Sequence, residues 1–184
     1  MHLYIVGTHH KHQFGQCSAF GPREQACDAF AAYLKRQCLS LGINALAEEM
    51  CSDARQKWQI EQTVPQSLAQ DLGIIHADCD PNEEERNALG IRHEGLVKMT
   101  GLMQEESEVT IQRNIRVEYD KREQEWIRRI GQLPHDRVLF VCGTDHSRSF
   151  AEKTKGCGWQ TDTLAEEWTP NITSVPISDR ADAV

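Results

Sequence analysis

The octet LFVCGTDH at residues 139–146 has a near copy, LYIVGTHH, at residues 3–10, and the pair indicates the fold of the chain. Each octet begins with an apolar and an aromatic residue, continues with two apolar or thiol residues, and ends in Gly-Thr-x-His. A short apolar run that stops at a glycine predicts a buried strand, and the glycine lets the backbone turn sharply afterwards. Each octet is therefore expected to place a histidine, His10 or His146, just past a strand end. The segments that follow the two octets differ, so the repeat does not indicate a duplication.

Short apolar runs alternate with helical patterns along the rest of the chain. Further strands are predicted at residues 43–47, 74–79 and 159–164. Helices are predicted at residues 22–41, around Trp58, and at residues 65–72, 82–90, 120–130 and 147–155, with residues 91–118 irregular except for a helix in their second half.

Strands that alternate with helices are typical of an α/β fold, with a mostly parallel sheet and helices on both faces. We expect residues 1–168 to form a single domain. Residues 169–184 contain two prolines and no periodic pattern, which predicts a loose tail.

The carboxyl ends of parallel strands meet at one edge of a sheet, and folds of this kind bind their ligands there. The chain supplies imidazoles and carboxylates to that edge after four separate strands: His10, Glu48, Glu49, His76, Asp78, Asp80 and His146. Gly7 and Gly143 precede the two octet histidines and are predicted to lie against a bound cofactor. We prefer His10 to its neighbour His9, because His10 aligns with His146 when the octets are superimposed.

Two histidines and a glutamate can form an open site for a divalent metal ion, here predicted from His10, Glu49 and His146. Such an ion polarises a carbonyl or phosphoryl oxygen and lowers the pKa of its bound water towards ~7. Nitrogen and oxygen ligands without a thiolate suit manganese, cobalt, zinc or iron and do not select among them. The second glutamate, Glu48, is available to orient the water or take its proton.

Composition restricts the partners. Twenty Lys and Arg face 28 Asp and Glu among 184 residues, and the formal charge of −8 disfavours nucleic acid and anionic membranes as partners. The chain has no apolar run near the ~20 residues of a membrane helix and no pattern of a signal peptide at its start. Seven cysteines without a C-x-x-C pair predict reduced thiols in a cytoplasmic protein. The partner we expect from the site residues described above is a small-molecule or peptide substrate.

The ordered set of motifs resembles the TIKI/TraB proteins and their erythromycin-esterase-like and ChaN-like relatives. Those proteins carry two G-x-x-H motifs with glutamates and an arginine between them. The corresponding residues here lie at residues 7–10, at Glu48 and Glu49, at Arg122, and at residues 143–146. The resemblance implies a metal-dependent hydrolase of peptide or ester bonds, in which Glu48, Glu49 and Arg122 are catalytic. Arg122 would hold a substrate carboxylate or a developing oxyanion.

Three other functions fit the same residues. The first is a non-enzymatic metal-binding or haem-binding protein of the ChaN kind. The second is a phosphate- or nucleotide-handling enzyme, because the segment HSRS at residues 146–149 opens a helix whose amides favour anions. The third is an interaction protein whose site has decayed.

Several acidic residues near the predicted site also have structural interpretations. Asp80 is expected to cap a helix, and Glu123 to be the capping-box partner of Asp120. Asp145 is expected either to support His146 or to cap the helix that follows.

Overall fold

The computed structural model describes residues 1–15 and 22–170 of the chain. Five strands form one sheet: β1 (His2–Thr8), β2 (Ala45–Glu48), β3 (Ile75–Asp78), β4 (Arg137–Gly143) and β5 (Gln160–Trp168). Their order across the sheet is β3-β2-β4-β1-β5, and every pair of neighbours is parallel. The parallel α/β fold expected from the sequence is confirmed, and both octets form strands at the centre of the sheet.

Eight helices connect the strands in the described part of the chain. They are α1 (His10–Gln13), α2 (Pro22–Leu41), α3 (Ser52–Trp58), α4 (Val64–Leu72), α5 (Glu83–Ala88), α6 (Glu94–Met103), α7 (Glu108–Gly131) and α8 (Thr144–Gly156). The helix predicted in the second half of residues 91–118 is confirmed by the first part of α7, whereas the irregular structure predicted for the first half is wrong, because α6 occupies it. The predicted tail lies largely outside the described residues, which end at residue 170.

Alternate strand residues point to opposite faces of the sheet, and here both sets are apolar. Helices therefore pack against both faces. On one face, Leu3 and Ile5 of β1 and Phe140 of β4 pack with Trp126 of α7 and Phe150 of α8. On the other face, the intervening strand residues pack against α2 and α4: Tyr4, Val6, Leu46, Leu139 and Val141. The continuous apolar runs of the two octets follow from burial on both faces.

Gly7 is required by the close approach of β1 and β5. A Cβ atom built on Gly7 would lie 2.0 Å from the backbone oxygen of Glu166 and 2.8 Å from Cβ of Ser147. Gly7 therefore allows β1 to pack closely against β5 and α8. The sequence had predicted a contact with a cofactor at this residue.

None of the helices in residues 1–15 and 22–170 combines the length and the apolar character needed to cross a membrane. Five cysteines of this part are free thiols: Cys38, Cys51, Cys79, Cys142 and Cys157. Cys27 is disulfide-bonded, so the prediction that all cysteines are reduced is wrong for this residue.

Candidate functional site

The order of the strands brings three predicted site residues together. Strand β4 lies between β2 and β1, so the residues that follow these three strands are neighbours at one edge of the sheet. The Nε2 atoms of His10 and His146 lie 4.0 and 3.8 Å from Oε1 of Glu49. The two octets thus deliver their histidines to the same carboxylate.

The Glu49 carboxylate is buried and ionised. Its Oε2 accepts a hydrogen bond from the Gly143 amide at 2.8 Å, and its Oε1 accepts one from Arg122 at 2.6 Å. Burial alone would raise the pKa of Glu49, but Arg122, then His146 and His10, and then the Gly143 amide lower it to about 2. A negative charge is therefore fixed at the centre of the site.

Arg122 on α7 lies between two carboxylates. Its Nη2 donates to Glu49, and both Nε and Nη2 donate to Oδ1 of Asp80, at 3.0 and 2.9 Å. Its Nη1 lies 3.4 Å from Nε2 of His146, and the guanidinium lies over the ring of Trp126. Burial lowers the pKa of Arg122, but Glu49 and Asp80 raise it above its usual value, so the side chain stays charged.

His146 is held by a carboxylate behind it. Its Nδ1 donates to Oε1 of Glu123 at 2.8 Å, and the carboxylate also accepts hydrogen bonds from Ser149 and Lys153. Burial raises the pKa of Glu123, but these partners lower it below its usual value. Because Nδ1 binds Glu123, Nε2 is the ring nitrogen that faces Glu49 and Arg122.

The side chain of His10 is 45 % exposed, while its Nε2 faces the buried carboxylate of Glu49. The ring stacks on Phe14, with 5.5 Å between ring centroids and 14° between planes, and its Nδ1 lies 3.0 Å from Oε1 of Gln13. His9 points away, with its Nε2 3.4 Å from the exposed Glu167. Of the two neighbouring histidines, His10 and not His9 therefore lies beside Glu49.

A cleft of about 480 Å³ opens in front of these residues. His10, Glu49 and Arg122 line its inner part, while His146 is buried behind the guanidinium. The outer walls carry aromatic and charged side chains, among them Phe14, Trp58, Lys57, Arg92 and Tyr119. The volume and the mixed lining suit a small molecule or a short peptide segment.

Glu48 does not join this cluster, although the sequence predicted both glutamates in one site. Consecutive residues at the end of a strand point to opposite faces, so Glu48 lies on the side of α4. It accepts hydrogen bonds from Thr63, from Gln13 at 2.7 Å and from His76 at 2.7 Å. Glu48 can therefore influence the cleft only through intermediate side chains.

Glu48, His76 and Asp78 are the one group of three metal-ligand side chains in the described part whose ligand atoms all lie within 4.8 Å. Arg55 already supplies a positive charge to this group, with hydrogen bonds of 2.7 and 3.1 Å to Asp78 and a distance of 3.6 Å to Glu48. The arrangement is therefore an ion-pair network in which the Arg55 guanidinium lies where a metal ion would have to bind.

The donor chemistry of His10, Glu49 and His146 fits a divalent ion, but their spacing fits it incompletely. Two ligand atoms about 2.1 Å from one ion lie at most ~4.2 Å apart, and both distances from Glu49 satisfy this limit. The two imidazoles do not come close enough to join Glu49 in a group of three within 4.8 Å. An ion held by all three would require His10 to move inwards and Arg122 to release Glu49.

The segment HSRS offers few free groups for the predicted phosphate site. Ser147 donates to the backbone oxygens of Thr144 and Glu166, and Ser149 donates to Glu123. The amide of Gly143, at the start of α8, already binds the carboxylate of Glu49. The anion that lies beside the start of α8 is the carboxylate of Glu49.

Two acidic residues to which the sequence assigned structural roles belong to the site. Asp80 does not cap α5, because Asn82 forms that capping box with Glu85. Glu123 does not cap a helix, because Asp120 and Glu123 lie in the middle of α7 and Glu123 binds His146. Asp145 lies exposed in the first turn of α8.

The sequence gives no direct signal for two further residues at this edge. Gln13 follows the first octet by three residues and contacts His10. The Tyr119 ring lies 4.3 Å from that of His146, and its hydroxyl donates to Glu94 at 2.7 Å. Prediction of α1 and of the whole of α7 would have identified them, because a helix places Gln13 one turn from His10 and Tyr119 one turn from Arg122.

Comparison of the chain with models of protein families, with curated proteins and with solved structures found no match.

Proposed function

We propose that this chain is a hydrolase of ester or peptide bonds and that His10, Glu49, Arg122 and His146 form its catalytic centre. One observation carries the proposal. His10 presents a ring nitrogen at the inner end of the cleft, next to an ionised carboxylate and a buried guanidinium. A proton acceptor beside a fixed cation is the combination that attack of water on a carbonyl group requires.

His10 serves as the general base in this proposal. Nε2 of His10 takes a proton from a water molecule as the water oxygen attacks the carbonyl carbon of the substrate. The carbonyl oxygen becomes an oxyanion, and the leaving alcohol or amine later receives the proton from His10. The proton taken from water thus ends on the leaving group, and His10 returns to its starting state.

Arg122 stabilises the oxyanion. Its Nε and Nη2 groups donate to Glu49 and Asp80, while Nη1 has one long contact among the described residues, 3.4 Å to His146. A hydrogen of Nη1 is therefore available to the substrate at the wall of the cleft. Since two carboxylates hold the guanidinium in place, little reorganisation accompanies the reaction.

A divalent metal ion bound by His10, Glu49 and His146 is the second candidate for the group that activates water. Its support is that both imidazole Nε2 atoms face the same Glu49 oxygen at distances that an ion can bridge. Such an ion would supply a water molecule that is more acidic at neutral pH. Arg122 would then bind substrate after exchanging its contact with Glu49.

The test is hydrolysis of a panel of activated aryl esters and fluorogenic peptides by the untagged protein. We expect saturable hydrolysis of at least one compound, a loss of about 100-fold or more in His10→Ala, and little change in the matched control His9→Ala. No hydrolysis of any compound, or equal rates in the two variants, contradicts the proposal.

The same assay separates the two candidates for water activation. With His10 as the base, a chelator leaves the rate unchanged, and manganese, cobalt or zinc does not raise it. With a metal ion, the chelator abolishes the rate and one of the three ions restores it. Titration of each ion into the protein, measured by heat and by thermal shift, gives an independent readout.

A further inference from the structure

Gln13 connects the exposed histidine of the cleft with the buried network around Glu48. It lies in the one-turn helix α1, three residues after His10, and its side chain is fully buried. Its Nε2 donates to Oε2 of Glu48 at 2.7 Å and to the backbone oxygen of Glu49 at 3.1 Å, and its Oε1 lies 3.0 Å from Nδ1 of His10. A buried amide thus spans the distance between the two networks.

The orientation of this amide follows from its partners. A backbone oxygen only accepts hydrogen bonds, so the atom of Gln13 that contacts Glu49 O must be the NH₂ nitrogen. The same nitrogen has a second hydrogen for Glu48. The amide oxygen then faces His10, and an amide oxygen likewise only accepts.

The protonation of the His10 ring follows in turn. Because Oε1 of Gln13 accepts, Nδ1 of His10 must carry the hydrogen. A neutral imidazole has one N–H, so Nε2 bears the lone pair, and this atom faces Glu49 at the inner end of the cleft. The stacking on Phe14 restrains the same ring orientation.

We propose that Gln13 is a positioning residue that fixes the tautomer of His10, and that Glu48 acts on the cleft by holding Gln13. This inference rests on the proposed function for its catalytic meaning, because His10 is the base there only if Nε2 is unprotonated. Glu48 itself is anchored by Thr63 and His76. The two octet histidines are thus fixed in the same tautomer by different means, a buried amide for His10 and a carboxylate for His146.

The test is the tautomer of His10 in the resting protein, read from nitrogen chemical shifts and long-range nitrogen–proton couplings by NMR. The spectra are recorded at pH about 8.5, above the ordinary titration range of imidazole. We expect Nδ1–H for His10 in the unmodified chain. Nε2–H there overturns the proposal without any variant.

The variant Gln13→Met keeps the size of the side chain and removes both the acceptor and the donor. We expect the His10 signals to move towards Nε2–H or towards an average of both tautomers, while those of His146 stay unchanged. In the hydrolysis assay kcat should fall about 10- to 100-fold, and KM should change less. An unchanged His10 tautomer in a folded Gln13→Met protein contradicts the proposal.

A paired variant covers the case in which Gln13→Met fails to fold. Gln13→Glu combined with Glu48→Gln keeps an acceptor towards His10 and one amide in the pair, but removes the donor to the backbone oxygen of Glu49. We therefore expect a less stable protein in which His10 retains Nδ1–H. Loss of that tautomer in the folded pair overturns the proposed relay. A correct tautomer without hydrolysis of any compound would contradict the proposed function alone, because the NMR readout does not depend on activity.

Discussion

Arg122→Met tests whether the centre is held together by its charges. The substitution keeps the aliphatic stem and removes the cation that contacts Glu49 at 2.6 Å and Asp80 at 2.9 Å. Both carboxylates are at most 7 % exposed, so each would lose a partner in a region that water hardly reaches. Breaking a buried ion pair from one side costs about 3–5 kcal/mol. We expect a loss of about 3 kcal/mol in the free energy of unfolding at neutral pH, because Asp80 keeps Arg86 and Trp126.

The pH dependence of this loss identifies its cause. Arg122 is the largest of the charges that hold the pKa of Glu49 down at about 2. Without Arg122, only His146, His10 and the Gly143 amide oppose the effect of burial, and we expect the folded-state pKa of Glu49 to rise above its unfolded value. The carboxyl then binds its proton more readily in the folded state, so acidification favours folding of the variant. The stability difference from the unmodified chain should shrink as pH falls from 7.5 to 5.

Urea denaturation at pH 7.5 and at pH 5 measures both effects. Arg148→Met is the matched control, because Arg148 is 81 % exposed on α8, and its effect should stay within about 0.5 kcal/mol at either pH. Glu49→Gln placed in the Arg122→Met background should recover part of the loss, since it removes the unpaired charge. A loss below about 1 kcal/mol that is the same at both pH values would show that Arg122 does not hold the two buried carboxylates in place.

Three further predictions concern single residues. Gly7→Ala should lower Tm strongly or prevent folding, because its Cβ would lie 2.0 Å from the backbone of β5. Gly156→Ala is the control and should leave Tm unchanged, because its Cβ would meet nothing within 4 Å. Equal melting curves for the two variants would contradict the close approach of β1 and β5. The folded-state pKa of Glu49, about 2, lies below the unfolded value of 4.5, so ionised Glu49 should contribute on the order of 3 kcal/mol to the free energy of unfolding above pH 4.5. This contribution should be lost as pH falls towards 2. Glu49→Gln should flatten that part of an acid titration followed by circular dichroism. If a metal ion binds, His10→Ala should weaken it in calorimetric titration far more than His9→Ala, whose ring faces away from the site; the reverse order would show that the octets are misaligned.

The central strands could be predicted from the sequence because burial on both faces leaves continuous apolar runs. Both octets belong to this class, and their carboxyl ends follow from the parallel arrangement. The α6 segment was not predictable by the same means. It contains two glycines, and only Val97 and Gly101 are buried, so its sequence has no clear apolar stripe.

The candidate site was predictable only where strand ends decide it. His10 and His146 are placed by the octets, but the choice between Glu48 and Glu49 depends on where β2 ends. A change of one residue in that boundary moves each side chain to the other face. The roles of Asp80 and Glu123 depend on contacts with residues 42 and 23 positions away, Arg122 and His146, which no local pattern encodes.

The most direct test of a single catalytic centre is kcat/KM for His10→Ala, His146→Ala and the double variant on one substrate from the panel. If both histidines act in one centre, each single variant loses most of the activity and the double variant loses little more, because residues that act as a unit have non-additive effects. Tm of His10→Ala should stay near that of the unmodified chain, because the His10 side chain is 45 % exposed. His146 is buried against Trp126 and binds Glu123, so the two variants that lack it should melt at lower temperatures, and the rates are compared where all three proteins are folded. Losses that multiply in the double variant, or a single variant that keeps full activity, would contradict the account.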